Sequence, residues 1–425
     1  MIGRGAKLAK IRSGLRMGPF VLGNFVSASL LRSLSFLKVE ARERTAAMGV
    51  YERLGMRRVI NADATLTRLG GSVMPPEVID AMREAAGSFV DMYELQQVVG
   101  RRLAQLTRNE AAYVSTGAAS GLVLATLAAM TDGDLPTIAH LIETGEAPKD
   151  EVIIHRAHRI PYDPAVRLAG ARIIEVGNRL QTFPWELEAA ISPRTAIVFY
   201  AAGVHLSIGA LPLAETVEIA HVRGVPVMVD AAAQLPPTEN LWRFTREFGA
   251  DLAVFSGGKD FRGPQASGLL VGTEAMIAAI AVNGSPHQRL ARPMKVGKEE
   301  MIGLLAAVER YVDEDWQDRA RCYEATVERW VEHFRGVPGM DASRVFPNEA
   351  GQPTPRCRVT FADETGFGGP EVAKLLWEGD PRIAVAIDGP SAISITPELL
   401  EGGDESILLD RIVALRLAPA VASAL

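Results

Sequence analysis

From residue 110 to residue 272 the chain alternates short, unbroken apolar runs with longer amphipathic segments, and this alternation constrains the fold more than any other feature. The runs read "AAYVST", "EVIIH", "ARIIEVG", "TAIVFY", "VPVMVD", "DLAVF" and "GLLVG". Continuous apolar runs of this length mark strands buried on both faces, as happens where helices cover a sheet on either side. Helical stretches such as "SGLVLATLAAM" and "LAETVEIAHVRG" lie between them, the second closed by Gly224 in a C-cap position. The order predicts an α/β domain with a mostly parallel, doubly wound sheet.

After the last run the pattern changes. "KVGKEEMIGLLAAVERYVDEDWQDRARCYEATVERWVEHFRG" reads as one long helical stretch, broken at most once and ending near Gly336. Beyond it, "RCRVTF", "PRIAVAI" and "SAISITP" read as strands and "GPEVAKLLWEG" and "ESILLDRIVALRL" as helices, which predicts a smaller α+β C-terminal domain. A chain of 425 residues has room for both. The expected division is a basic N-terminal arm and helix over residues 1–56, a large domain over 57–310, and the long helix with the small domain over 311–425.

Charge and cysteine content narrow the function. With 45 basic and 51 acidic residues the net charge is -6, which argues against nucleic acid as a dominant partner. Cys322 and Cys357 are far apart and form neither a CxxC pair nor a disulfide framework, which fits a reducing cytoplasm. The first 38 residues carry seven basic and no acidic side chains around "MGPFVLGNFVSASLL", a run too short for the roughly 20 residues of an integral membrane span. A peripheral basic arm is the expected reading, with a natural start near Met48 or an export signal as alternatives.

Three segments carry chemistry, each at the carboxyl end of a strand, where an open α/β sheet presents its ligand crevice. In "VSTGAASG", Thr116, Gly117, Ala118, Ala119 and Ser120 lead a strand into a helix whose unblocked N–H groups suit a phosphate. "VPVMVDAAAQ" ends in Asp230, a carboxylate that needs a cationic partner if it is buried. "FSGGKDFRGPQASG" places Ser256 and Lys259 among small residues just after a buried strand. Singly these are an N-cap, a helix cap and a surface lysine. Together they are a phosphate cradle, an acid for a protonated ring nitrogen and an amine able to form a Schiff base, the set that pyridoxal 5'-phosphate requires. No metal is expected, because "HRAH" lacks a third ligand cluster.

The lysine segment resembles the bacterial selenocysteine synthase family, whose pyridoxal lysine lies in a similar "SG.K...GPQA" run. "RRVINADATLTRLGG", "ARIIEVGN", "AAGVHLSIGALPL" and "LARPMKVGKEEM" are also similar to family blocks, in family order, over roughly residues 57 to 310. "ISITPELLEGG" is compatible with the family but less diagnostic. Within the group, "SFVDMYELQQVVGRRLAQLT" and "SGGKDFRGPQASGLLVG" are closer to the D-glucosaminate-6-phosphate ammonia-lyase branch than to the selenium transferases, which typically carry an N-terminal tRNA-binding domain where this chain has a short basic arm, a departure that argues against tRNA as a partner. The resemblance implies a fold-type-I pyridoxal enzyme working as a homodimer or higher homo-oligomer. It assigns Lys259 as the Schiff base, Asp230 as the ring-nitrogen partner, and residues 116–120 with Ser256 as phosphate ligands.

Other candidates follow from position. His158 is expected over the cofactor ring, with His155 structural. Gln234 and His205 lie just past strand ends, within reach of the cofactor phenol oxygen or a substrate carboxylate. Arg292, Lys295 and Lys298 are candidates for an anionic substrate group, Arg292 foremost, and Arg68 and Tyr93 for the entrance. The expected activity is α,β-elimination from a small β-hydroxy amino acid or amino sugar acid, releasing ammonia and a 2-oxo acid. β-Replacement of the L-seryl-tRNA(Sec) selenium transferase type, racemisation, aldol cleavage and a cofactor-binding protein without turnover are the alternatives.

Overall fold

All seven apolar runs between residues 110 and 272 become strands of one sheet. The computed structural model describes residues 49–362 and 366–415, so the basic arm over residues 1–48 lies outside the described residues. Residues up to Arg58 form a unit of their own, whose described part holds the short helix Val50–Arg53. The chain from Val59 onward forms the other unit.

That unit contains two sheets. Its strands are β1 (Val59–Ala62), β2 (Ala111–Ser115), β3 (Glu151–His155), β4 (Arg172–Val176), β5 (Thr195–Ala201), β6 (Val227–Asp230), β7 (Leu252–Ser256), β8 (Gly268–Gly272), β9 (Met340–Val345), β10 (Arg356–Phe361), β11 (Arg382–Ile387) and β12 (Ala392–Ile395). The larger sheet runs β2-β8-β7-β6-β5-β3-β4. β8 is antiparallel to both its neighbours, and the other pairings are parallel. Ile153, Val198, Val229 and Leu269 enter the core on one face, while Ile154, Phe199, Met228 and Leu270 enter it on the other. The first face is covered by α1 (Pro76–Ala86), α2 (Met92–Leu106) and α4 (Lys298–Asp313); the second is covered by α3 (Ala118–Thr131), buried throughout from Gly121 onward. A helix buried on every side has no polar stripe, which is why its sequence is uniformly apolar.

The predicted long helix breaks once, into α4 and α5 (Trp316–Arg335). α5 packs Val327, Trp330 and Phe334 against the second sheet, ordered β1-β11-β12-β10-β9. β1 is a departure from the sequence reading, which ran residues 57–310 as one block. It pairs in parallel with β11, and its alternate residues Ile60 and Ala62 are buried in the second core. The chain therefore starts in the smaller sheet, crosses to the larger, and returns through α5. Among the described residues no single helix is long and apolar enough to cross a membrane.

Candidate active site

The sheet register brings the three chemical segments together. Ser115, at the end of β2, and Ser256, at the end of β7, are both register partners of Gly268, the first residue of the strand between them. One strand further, Asp230 is opposite Val254 of β7 and Ala201 of β5. The phosphate loop, Ser256, Lys259 and Asp230 thus crowd one edge of the sheet, and Gly117, Ala118, Ala119, Ser256, Lys259 and Asp230 line one hollow.

Gly117 is the N-cap of α3, with φ 93°, and no side chain caps the helix. The first N–H groups of α3 have no intrahelical acceptor, and a Cβ at Gly117 would meet open space, so the helix start faces the hollow with backbone donors. Ser120 turns away: its hydroxyl donates to the Thr116 carbonyl at 3.0 Å, and neither residue lines the hollow. Pyridoxal phosphate fits this donor set: the Gly117, Ala118 and Ala119 segment and Ser256, which line the hollow together, are the groups that would hold its phosphate.

Electrostatics support the other two assignments. Asp230 is 8 % exposed, and one carboxylate oxygen accepts the Ala232 N–H at 3.1 Å. Burial raises its pKa, against the pull of that N–H and of Lys259, and a protonated ring nitrogen is a partner this carboxyl group would suit. Burial lowers the pKa of Lys259, opposed by Asp230 and Glu349. The amine is thereby biased toward the neutral, nucleophilic form that an aldehyde requires. Gly257 and Gly258 let the backbone pack closely around the lysine, and Gly258 also lines the hollow. A Cβ on Gly257 would lie 2.0 Å from Ser267 Oγ, and one on Gly258 2.5 Å from Gln265 Cα, so both let the lysine turn close on itself.

The remaining candidates scatter. Gln234 and His205 line an adjoining hollow that shares Tyr162, Asp230, Ala232 and Lys259 with the first, and Gln234 Nε2 donates to the Ala350 carbonyl at 3.0 Å. His158 is buried beneath these hollows without lining them. Its ring centroid is 4.4 Å from that of Tyr200, and Nδ1 accepts the Ala201 N–H at 3.3 Å. Arg68 is exposed and bound to Asp63 at 2.8 Å; Tyr93 is exposed with its ring edge on His287. Arg292 and Lys295 are exposed, and Lys298 donates to the Ala85 carbonyl at 2.8 Å. None of these last five lines the hollows around Lys259.

Several residues at the site carried no sequence signal. Thr65 and Thr67 line the first hollow because the segment after β1 lies over the lysine turn, fixed by Ser72 Oγ to the Gly258 carbonyl at 3.0 Å and Gln265 Nε2 to the Thr67 carbonyl at 3.2 Å. Glu349 and Ala350, from the loop between β9 and β10, line the second hollow. Arg356, buried at the start of β10, forms an ion pair with Glu349, and its Nε has no hydrogen-bond partner among the described residues. "HRAH" offered a pair at fixed spacing, but these contacts depend on the return of the chain through a second sheet.

The sequence matches the L-seryl-tRNA selenium transferase family over residues 59–323. The chain belongs to that family. It is 34% identical to the D-glucosaminate-6-phosphate ammonia lyase of Salmonella typhimurium (strain 14028s / SGSC 2262), across 79% of this chain and 88% of that one. It is also 34% identical to a 5'-C-glycyluridine monooxygenase-decarboxylase from Streptomyces sp, across 73% and 77%. An L-seryl-tRNA(Sec) selenium transferase from Moorella thermoacetica is 30% identical, with 57% of its length covered. The solved structure of D-glucosaminate-6-phosphate ammonia-lyase superposes with a TM-score of 0.78 at 31% identity, covering 88% of this chain and 99% of that one. A structure of SPT with PLP, 14% identical with a TM-score of 0.53 over 86% and 88%, shares the fold alone. The chain is a pyridoxal-phosphate enzyme of fold type I, and the expected cofactor and fold class are borne out.

Proposed function

We propose that this chain is a lyase that eliminates the β-hydroxyl of an amino sugar acid or small β-hydroxy amino acid and releases ammonia and a 2-oxo acid. The observation that carries the reading is the pair formed by Lys259 and Asp230: one hollow holds an amine that burial biases toward its neutral form beside a carboxyl group whose pKa burial raises. The likeness to the ammonia lyase, over nearly its whole length, favours elimination over the other reactions of the family.

When bound, pyridoxal phosphate supplies an electrophilic aldehyde and a ring that accepts the electron pair left at the substrate Cα. The chain supplies the rest. Lys259 Nζ takes the Cα proton, Asp230 keeps a proton on the ring nitrogen, and the start of α3 with Ser256 fixes the phosphate. Arg356, drawn from Glu349, holds the substrate carboxylate, and Glu349, Gln234 and His205 border the second hollow. Exposed Phe89, Val90 and Tyr93 support assembly as a homodimer or higher homo-oligomer, and the two unpaired cysteines support a cytoplasmic setting.

The test is to supply the purified protein with pyridoxal phosphate and assay ammonia and 2-oxo acid from D-glucosaminate 6-phosphate and a panel of β-hydroxy amino acids. Release from at least one, abolished in Lys259→Ala, is expected. No release from any, with tight binding of seryl-tRNA instead, would replace the reading with β-replacement.

A further inference from the structure

A third recess opens beside Lys259, on the side of the smaller sheet, and Glu398 lines it. Glu398 follows β12 in "ITPELLEGG". Its Oε1 is buried and meets no hydrogen-bond partner among the described residues. Each guanidinium group near it carries an ion pair to another carboxylate, and Lys259, in the same recess, is biased toward its neutral form by burial. From the lysine turn, Arg262 binds Glu401 at 2.6 Å and the Val73 carbonyl. From α4, Arg310 binds Glu314 at 3.0 Å and the Phe261 carbonyl at 3.2 Å. From α5, Arg319 binds Asp260 at 2.7 Å, and from β10, Arg356 pairs with Glu349.

The other titratable neighbours add no positive charge. Asp260 and Glu349 repel a carboxylate at Glu398, and Tyr323 of α5 is neutral, its hydroxyl pushed up by burial. A buried carboxylate without its own cation is costly, so the group is held as the acid. Burial pushes Glu398 up to about 7, with Thr354 and Arg356 pulling the other way. Burial therefore acts oppositely on the two groups that share this recess: Lys259 is favoured as a neutral base and Glu398 as a neutral acid. Paired groups driven apart in this way mark a division between base and acid.

We propose, on the basis of the elimination reading above, that Glu398 is the catalytic acid that protonates the departing β-oxygen. Hydroxide is a poor leaving group near neutrality, and a positioned acid makes it water. The Cα–H proton goes to Lys259 Nζ. The Cβ–O bond breaks with its electron pair on oxygen, which takes the Glu398 proton and leaves as water. The proton on Lys259 then restores Glu398 through solvent, and the released enamine takes up one water to give the 2-oxo acid and ammonia. The cycle is balanced without an oxidant or reductant.

The test compares wild type with Glu398→Gln, which keeps the size of the side chain and has no proton to give. Exchange of the substrate Cα proton with D2O, followed by NMR, should stay within about threefold, while ammonia release from the β-hydroxy substrate falls about 100-fold. A β-chloro analogue, whose leaving group needs no proton, should restore the rate. Infrared difference spectra of the full chain, with and without pyridoxal phosphate, should show a protonated carboxyl that titrates near about 7 and is missing in the variant. Unchanged ammonia release, or equal loss of exchange, release and β-chloro turnover, overturns the role of Glu398. Should Glu398→Gln not fold, the infrared titration of wild type and the reduced release expected of Glu398→Asp decide the matter. A wild type that releases no ammonia from any substrate overturns the lyase reading itself and is told apart by that control.

Discussion

Gly268 lies so close to Gly117 that a Cβ on Gly268 would come within 2.6 Å of the Gly117 carbonyl carbon and 2.8 Å of the Ala118 nitrogen. The first residue of β8 is therefore part of the floor under the phosphate loop, and its carbonyl accepts from Ser115 Oγ at 3.4 Å, the hydroxyl that also donates to the Gly117 carbonyl at 2.9 Å. Gly268→Ala is expected to push the loop away from its place. The Kd for pyridoxal phosphate should rise at least about tenfold, read by fluorescence titration, at a stability cost of about 1–3 kcal/mol. Wild-type cofactor affinity in this variant would show that the loop adapts without loss.

The turn that presents Lys259 is held from behind. Asp260 Oδ2 accepts from Tyr311 Oη and Arg319 Nη2, both at 2.7 Å, tying the lysine turn to α4 and α5 at once. Arg319 is largely buried, so removing its partner leaves a cation in low dielectric. Asp260→Ala should cost about 3–5 kcal/mol in urea unfolding and broaden the absorption band of the bound cofactor. A loss below about 1 kcal/mol would mean that Glu314, 3.5 Å from Arg319, compensates.

Arg356 is assigned to the substrate carboxylate because it is buried, its Nε is unpartnered among the described residues, and its partner Glu349 is exposed and borders the hollow containing Lys259. A planar, bidentate cation is not replaced by a neutral amide. Arg356→Gln should raise KM about 10- to 100-fold while the cofactor spectrum stays unchanged. An equal fall in kcat with KM constant would place the arginine in the chemical step instead.

The larger sheet was legible because its strands, apart from the edge strand β4 with its exposed Arg172 and Glu175, are buried on both faces and so appear as unbroken apolar runs. Lys259, Asp230 and Gly117 were legible because a lysine, an aspartate and a small-residue turn at strand ends are chemically out of place in a core. Glu349, Arg356, Asp260 and Glu398 were not. Each sits in an ordinary polar segment, and its role comes from the return of the chain through α5 and the second sheet, a long-range pairing with no local period. β1 was hidden for the same reason: the four residues Val59–Ala62 alternate in burial, too short a signal to show which sheet they join. Ser120 shows the opposite error, since a hydroxyl in a phosphate-like loop was read as a ligand where the helix itself takes the bond.

His155 and His158 give the acid limb of the stability curve. Burial lowers His155 to about 4, and burial with the neighbouring His155 lowers His158 to about 3, so both are neutral in the folded protein at pH 7. In the unfolded chain each takes up a proton near 6.5, an ordinary value. Below that pH the unfolded state binds more protons, and the folded state loses stability as pH falls from about 6.5 through about 4 to about 3. Above about 6.5 these two groups contribute no pH dependence. Both ring nitrogens of His155 are buried without a hydrogen-bond partner among the described residues, so an apolar side chain there gives up no bond to them. His155→Leu should match wild type within about 1 kcal/mol at pH 7.5 and exceed it at pH 5, with urea midpoints at both pH values as the measurement. A variant that loses stability equally at both would show that the imidazole has a partner the neutral ring depends on.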